Sequence, residues 1–541
     1  MKTLLYNGEV FTVNKSDDMA SAVLMDGNKI LYVGSDEEAL RLCDDETEKI
    51  DVNGKSVLPG FIESHIHLNS RVGFARGINL SRKAGITDIN ALKERLKKEA
   101  ESVKPGEWII AYSFTFEDLD EKRWPTRYEL DEVCSDIPVA ITHSSAHTGL
   151  YNTKALELTH VLDGKGGYPE EHILKDENGV PNGVLKETAH FKCSEEVTKF
   201  NPVSEEMLKQ CLRDITADLN KVGVTSAHDA GGTGTTLINA MQKEAMAGNL
   251  TCRMYPMLFS IQSKEDNVEF VNAQLRSGFF TGLGNDYMRI GPIKIMVDGS
   301  GASGTCATRE PISHNGAMMP SSYTQEEIDD FVLRSQKAGF QFTAHAIGDR
   351  GVEMLLDAYD KAQKEYPRTD TRHRIEHCMI AEPDLLDRIA ELKLIPTLNP
   401  GFINIWGSVF NKYYQGNRQN YLIALRSAID KGIVCTIASD WACSTNIAPL
   451  TGIASAMDRT IYETGEKVSE SQAITLKEAI RCVTYNAAYS EFSEDVKGSL
   501  EAGKLADVIV VDGTLSKLSP EEIYKTDISR TYFDGKLVYK K

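Results

Sequence analysis

The 541-residue chain has ten cysteines but no Cys-x-x-Cys pair. That scatter fits reduced, mostly buried thiols better than a disulfide framework or a zinc knuckle. A basic excess is also missing: the formal net charge is -19, and an acidic surface does not attract phosphate backbones, so no nucleic-acid partner is expected. No apolar run approaches a membrane span, so no membrane partner is expected either. Met1 to Gly8 holds too short an apolar stretch for a secretory signal, and Glu9 follows at once; the cytoplasm is the expected location. Hydrophobic residues make up 41% and charged residues 26%, the balance of a soluble globular protein with one large domain and smaller additions.

Short β-rich runs alternate with turns at the start, in Thr3 to Tyr6, Val10 to Val13, Ala22 to Met25 and Ile30 to Val33. The pattern predicts a small antiparallel unit. The same texture returns in Ala506 to Gly513 and Thr531 to Tyr539, so residues 1–58 and 488–541 are expected to build one small β-sandwich domain together.

Between them, residues 59–487 carry short apolar strands followed by longer amphipathic helices, the pattern of an α/β protein with a parallel sheet. Eight strands are expected: Gly60 to His67, Val224 to Asp229, Cys252 to Leu258, Ile290 to Asp298, Phe340 to His345, His373 to His377, Leu394 to Leu398 and Ile433 to Asp440. Eight is the count of a closed (β/α)8 TIM-like barrel. Thr324 with Glu327, and Thr475 with Glu478, have the spacing of capping boxes. Residues 69–201 form a long insertion after the first strand, of which Leu92 to Glu101 reads as helix. Loops after barrel strands occupy the catalytic face, so the insertion is expected either to cover the site or to be a remote surface decoration.

His65 and His67 lie two apart in a β-type stretch, which projects both imidazoles from one face within reach of a single metal ion. Alone, such a pair suits packed histidines equally well. Four further residues fall in or at the ends of predicted strands: Lys294, His345, His377 and Asp440. An inward lysine must be neutralised, paired with Asp298 or Glu376, or carboxylated into an anionic metal bridge. Asp440 supplies a carboxylate able both to bind metal and to take a proton, or else to cap a helix. Cys378 and Cys443 each lie close to a candidate site residue.

The ordered set His65-x-His67, Lys294, His345, His377 and Asp440 resembles the amidohydrolase superfamily. The stretches Lys294 to Ser300, His345 to Asp349, Arg374 to His377 and Ser439 to Trp441 are similar to its amidohydrolase-3 branch, which includes N-substituted formamide deformylase-like proteins. Gly304 and Cys306 stand where that branch more often has arginine and alanine. The resemblance implies a distorted barrel with an attached β-sandwich. It also implies one metal held by His65, His67 and Asp440, a second by His345 and His377, and a bridge by carboxylated Lys294.

The expected activity is hydrolysis of an amide-type C–N bond in a small-molecule substrate, a formamide or N-acyl amide, by metal-activated water. Coordination lowers the pKa of water from about 15.7 to about 7. Asp440 would act as proton carrier and His147 as a donor to the developing oxyanion. One or two divalent ions are expected, zinc first, with Mn, Fe or Ni suited to similar ligands. Asp298, Phe402 and Trp441 are expected substrate contacts, and Phe114, Phe116 and Trp406 either join an apolar pocket or simply pack. A cyclic amide or imide hydrolase, a deaminase, and a non-catalytic metal-binding regulatory protein are the alternatives. Self-association into a homo-oligomer is the default for an enzyme of this size.

Overall fold

The computed structural model describes residues 2–69, 72, 77–104, 106–144, 148–200, 203–232, 234–260, 264–444 and 447–541. They fall into two compact units, one of residues 1–68 with 212–541 and one of residues 69–211.

In the larger unit, eight parallel strands follow one another through the sequence: β1 (Phe61–Ile66), β2 (Val224–Asp229), β3 (Arg253–Met254), β4 (Ile293–Met296), β5 (Phe342–Ala346), β6 (Arg374–His377), β7 (Ile395–Leu398) and β8 (Thr436–Ile437). β1, β2 and β3 pair in one sheet and β4 to β8 in another. Single parallel bridges join the sheets at both seams, Leu258 with Ile293 and Ile66 with Trp441. β3 is shorter than its apolar run predicts because Pro256 and Pro292 have no N–H to give to a ladder. The chain there is held instead by isolated bonds, Gly291 N–H to the Pro256 carbonyl at 2.9 Å and Leu258 N–H to the Pro292 carbonyl at 2.7 Å.

β1, β2, β6 and β7 are buried along their whole length, as parallel strands covered on both faces must be. Helices fill the connections, among them Gln325–Lys337 and Asp349–Glu365. Both predicted capping boxes form, Thr324 with Glu327 and Thr475 with Glu478. Among the described residues no helix is long and apolar enough to cross a membrane.

The two chain ends share a six-stranded sheet, in which Val508–Val511 pairs with Ser56–Pro59 and Ile528–Phe533 follows outward. A four-stranded sheet holds Lys2–Tyr6, Ala22–Asp26, Lys29–Gly34 and Glu48–Asp51. Val10, Val57, Val508 and Tyr532 from the first and Leu5, Val23 and Ile30 from the second belong to one buried cluster. Neither sheet is purely antiparallel, contrary to expectation: Lys2–Tyr6 runs parallel to Glu48–Asp51, and Glu9–Phe11 parallel to Ser56–Pro59. The hairpin signals were local, whereas these parallel pairings join segments with tens of residues between them, which turn chemistry does not encode.

The smaller unit contains the expected helix, at Ile89–Ala100, and also a six-stranded mixed sheet that the sequence pattern did not predict. Its strands are short, some only two to four residues, and are interrupted by Gly and polar residues, which hides a period of two. Phe114 is fully buried there with Ile109, Val139 and Leu150, so its role is packing.

Candidate metal centre

The site lies where the ends of β1, β5, β6 and β8 meet. Backbone bonds join the first and last of these, Asp440 N–H to the His65 carbonyl at 3.0 Å and His67 N–H to the Trp441 carbonyl at 2.6 Å. Asp440 is thereby held against both histidines of β1. Its Oδ1 is 3.4 Å from His65 Nε2 and 3.3 Å from His67 Nε2. The two imidazoles do share a face, with ring centroids 5.2 Å apart. His377 closes the group: its ring centroid is 4.7 Å from that of His65, and that of His345 is a further 4.5 Å beyond.

His65, His345 and His377 are each oriented through one ring nitrogen. His65 Nδ1 donates to Glu376 Oε2 at 2.6 Å, which leaves the lone pair on Nε2. His377 Nδ1 donates to Asn399 Oδ1 at 2.8 Å, and Asn399 Nδ2 is fixed on the Ala438 carbonyl at 3.0 Å. His345 Nε2 donates to the Gly299 carbonyl at 3.0 Å. Glu376 is itself gripped by Arg374, whose Nε and Nη2 reach its two oxygens at 2.8 and 3.0 Å. Arg374 also donates to His228 Nδ1, the Ser64 carbonyl and Thr397 Oγ1. One buried guanidinium therefore ties β6 to β1, β2 and β7.

Burial pushes the His65, His345 and His377 imidazoles below their ordinary value, aided by Lys294 at His65 and by His377 at His345. Each shift favours the neutral ring, the form that binds a metal. Burial alone would raise Asp440, but His67 and the neighbouring imidazoles outweigh it and hold the carboxyl well below the usual range. His377 and Asp440, both at strand ends, take a left-handed backbone at φ 72° and 59°. Such conformations cost a non-glycine residue about 1–3 kcal/mol and persist only where surrounding structure enforces them.

A cation fits this donor set. His65 Nε2, His67 Nδ1 and Asp440 Oδ1 are buried without a hydrogen-bond partner, a cost of about 1–3 kcal/mol for each such group unless something satisfies it. Ligand-capable atoms of His65, His377 and Asp440 lie within 4.8 Å of one another, and so do those of His67, Asp440 and Cys443.

Lys294 is buried on β4 with Nζ donating to the Ala230 carbonyl at 2.8 Å. Burial pushes its pKa down. Asp298 is buried as well, and its oxygens accept N–H bonds from Ile347, Gly348 and Ala307 at 2.9, 2.8 and 3.1 Å. It braces the turn that follows His345. Only glycine suits position 348 in that turn, because a Cβ would fall 1.9 Å from the Ala307 carbonyl oxygen. Phe402 stacks on the His377 ring at 6.1 Å, and Trp406 packs edge-on against Phe402 at 4.7 Å. Trp441 contributes its carbonyl to the β1 seam. His147 lies outside the described residues.

From sequence, Glu376 was named only as a possible partner of Lys294, and Arg374 and Asn399 were given no site role. The i, i+2 spacing of Arg374 and Glu376 puts both on one strand face, a signal that was available; nothing local marks Asn399, which arrives from the next strand.

The sequence profile described as "Amidohydrolase family" matches residues 48–539. N-substituted formamide deformylase of Arthrobacter pascens is 29% identical over 561 residues, covering 99% of this chain and 98% of its own. YtcJ of Bacillus subtilis (strain 168) is 26% identical, with complete coverage of both chains. Among solved structures, an uncharacterized metal-dependent hydrolase from Pyrococcus furiosus shares the fold, with a TM-score of 0.76 and 24% identity over 95% of this chain and 99% of its own. With a family match that spans most of its length, this chain belongs to the amidohydrolase family.

Proposed function

We propose that this protein is a metal-dependent hydrolase of a small-molecule amide-type C–N bond, a formamide or N-acyl amide, built on a closed (β/α)8 barrel. The observation that carries the reading is Asp440 Oδ1, buried and unpartnered between His65 and His67 and clustered with His377. The seam bridges at Leu258 and Ile66 support the closed barrel, and similarity to a formamide deformylase supports the bond type.

His65, His67, His345, His377 and Asp440 would hold the metal, zinc by the chemistry of the donor set. A bound divalent ion supplies Lewis acidity, which acidifies water and polarises a carbonyl. Asp440, ionised, accepts the proton released as water attacks and returns it to the departing nitrogen. Glu376 and Asn399 keep the histidine lone pairs directed inward. Burial shifts Lys294 toward its uncharged amine, the form that can add carbon dioxide to give a carbamate with loss of a proton; that anion would serve as a bridging ligand. Phe402 and Trp406 offer an apolar wall beside His377 for a hydrophobic substituent.

The test couples metal analysis to a panel of formamides, N-acyl amino acids and cyclic amides. Turnover of a formamide or N-acyl amide that scales with metal content and stops on chelation is expected. Preferential turnover of cyclic amides would replace the bond assignment, and a fully loaded protein with no turnover on any of them would favour a regulatory role.

A further inference from the structure

We propose that Cys443 is a thiolate ligand of the metal position that His67 and Asp440 line. This inference rests on the metal reading above. Ligand-capable atoms of His67, Asp440 and Cys443 all lie within 4.8 Å of one another. His67 and Asp440 are each 8% exposed, and His67 Nδ1 and Asp440 Oδ1 have no hydrogen-bond partner. Both residues that cluster with Cys443 therefore carry a buried, unsatisfied atom, an observation made independently of the cysteine.

Cys443 is placed by the same turn that places Asp440. Ser444 N–H donates to the Asp440 carbonyl at 2.8 Å, Ser444 Oγ to the Ser439 carbonyl at 2.6 Å, and Trp441 N–H to Ser439 Oγ at 3.1 Å. Of the ten cysteines, Cys443 alone is exposed. Metal binding there forms a sulfur–metal bond, displaces a water from the ion and releases the thiol proton to solvent, with no change of oxidation state. A thiolate in the set selects zinc, cadmium or cobalt over magnesium or calcium, which prefer oxygen.

The test is titration of the metal-stripped full-length protein with Co2+, read by absorption. Visible ligand-field bands report ion binding, and a near-ultraviolet sulfur-to-cobalt charge-transfer band reports thiolate coordination. The expected result is both sets of bands in the wild type, and loss of the charge-transfer band alone in Cys443→Ser. Because Cys443 is exposed, this variant should fold, which circular dichroism checks. Visible bands without charge transfer in the wild type would overturn the thiolate and leave the metal reading standing. A charge-transfer band that survives in Cys443→Ser would assign the sulfur elsewhere, Cys378 first, and overturn the inference too. No visible bands at all would sink the metal reading and this inference together.

Discussion

His65 Nδ1 and Glu376 Oε2 lie 2.6 Å apart with both side chains fully buried. That contact links the candidate ligands to the buried ion pair beneath them, because Glu376 is also the counter-ion of Arg374. Glu376→Gln is expected to weaken metal binding about 10–100-fold, the usual effect of losing a group that orients a ligand. The same change leaves the Arg374 guanidinium without its counter-charge and should cost about 3–5 kcal/mol of stability. Chelator competition and urea unfolding measure the two separately. Wild-type metal affinity in a destabilised variant would show that Glu376 serves the fold and not the ligand.

Lys294 separates two accounts of β4. As a carbamate bridge it is needed for the full complement of ions; as a structural amine it needs only the Ala230 carbonyl, 2.8 Å away. Lys294→Ala is expected to lower the bound metal per chain, measured by elemental analysis on folded protein, and to abolish turnover. Retention of wild-type metal content with full activity would eliminate the bridge.

The candidate ligand positions were legible because parallel α/β folds place chemistry at strand ends, and His65, His67, His345, His377 and Asp440 each interrupt or end an apolar run. The strand order was legible for the same reason. What surrounds those ligands was not. Asn399 reaches His377 from a neighbouring strand, and His228 meets Arg374 across 146 residues; such pairs depend on register between distant segments, which no local pattern carries. Asp298 has a bracing part that no local pattern showed: three backbone N–H bonds from the turn after His345 and from Ala307 converge on its carboxylate. The sheet of the smaller unit escaped notice because its strands are too short to show a period.

Arg253 provides a control distant in role from the metal. From β3 it clamps the terminal sheet, with Nε and Nη2 on the two oxygens of Asp507 at 2.7 and 2.9 Å and Nη2 on Asp534 at 3.2 Å. Arg253→Met keeps the apolar stem but strands the buried Asp507 charge, and should cost about 3–5 kcal/mol in urea unfolding. Metal content of the folded variant should stay at the wild-type level. A large loss of metal would mean that the terminal sheet and the ligand cluster are coupled.

His373 should make the protein sensitive to acid. Its Nδ1 accepts the Phe342 N–H at 2.9 Å, its Nε2 donates to Gln336 Oε1 at 3.1 Å, and its ring stacks on Tyr359. Burial, assisted by Arg368, pushes its pKa from 6.5 down to about 3. Between those values the unfolded chain takes up a proton that the folded protein refuses, so stability falls as pH drops from 6.5 toward 3 and is independent of this group above that window. By about pH 5 the loss from His373 alone is about 2 kcal/mol. Urea unfolding at about pH 7.5 and about pH 5 measures it, and in His373→Gln, whose amide does not charge, the difference between the two conditions should shrink by about that amount. Equal losses in both proteins would show that His373 titrates normally and that the acid sensitivity arises elsewhere.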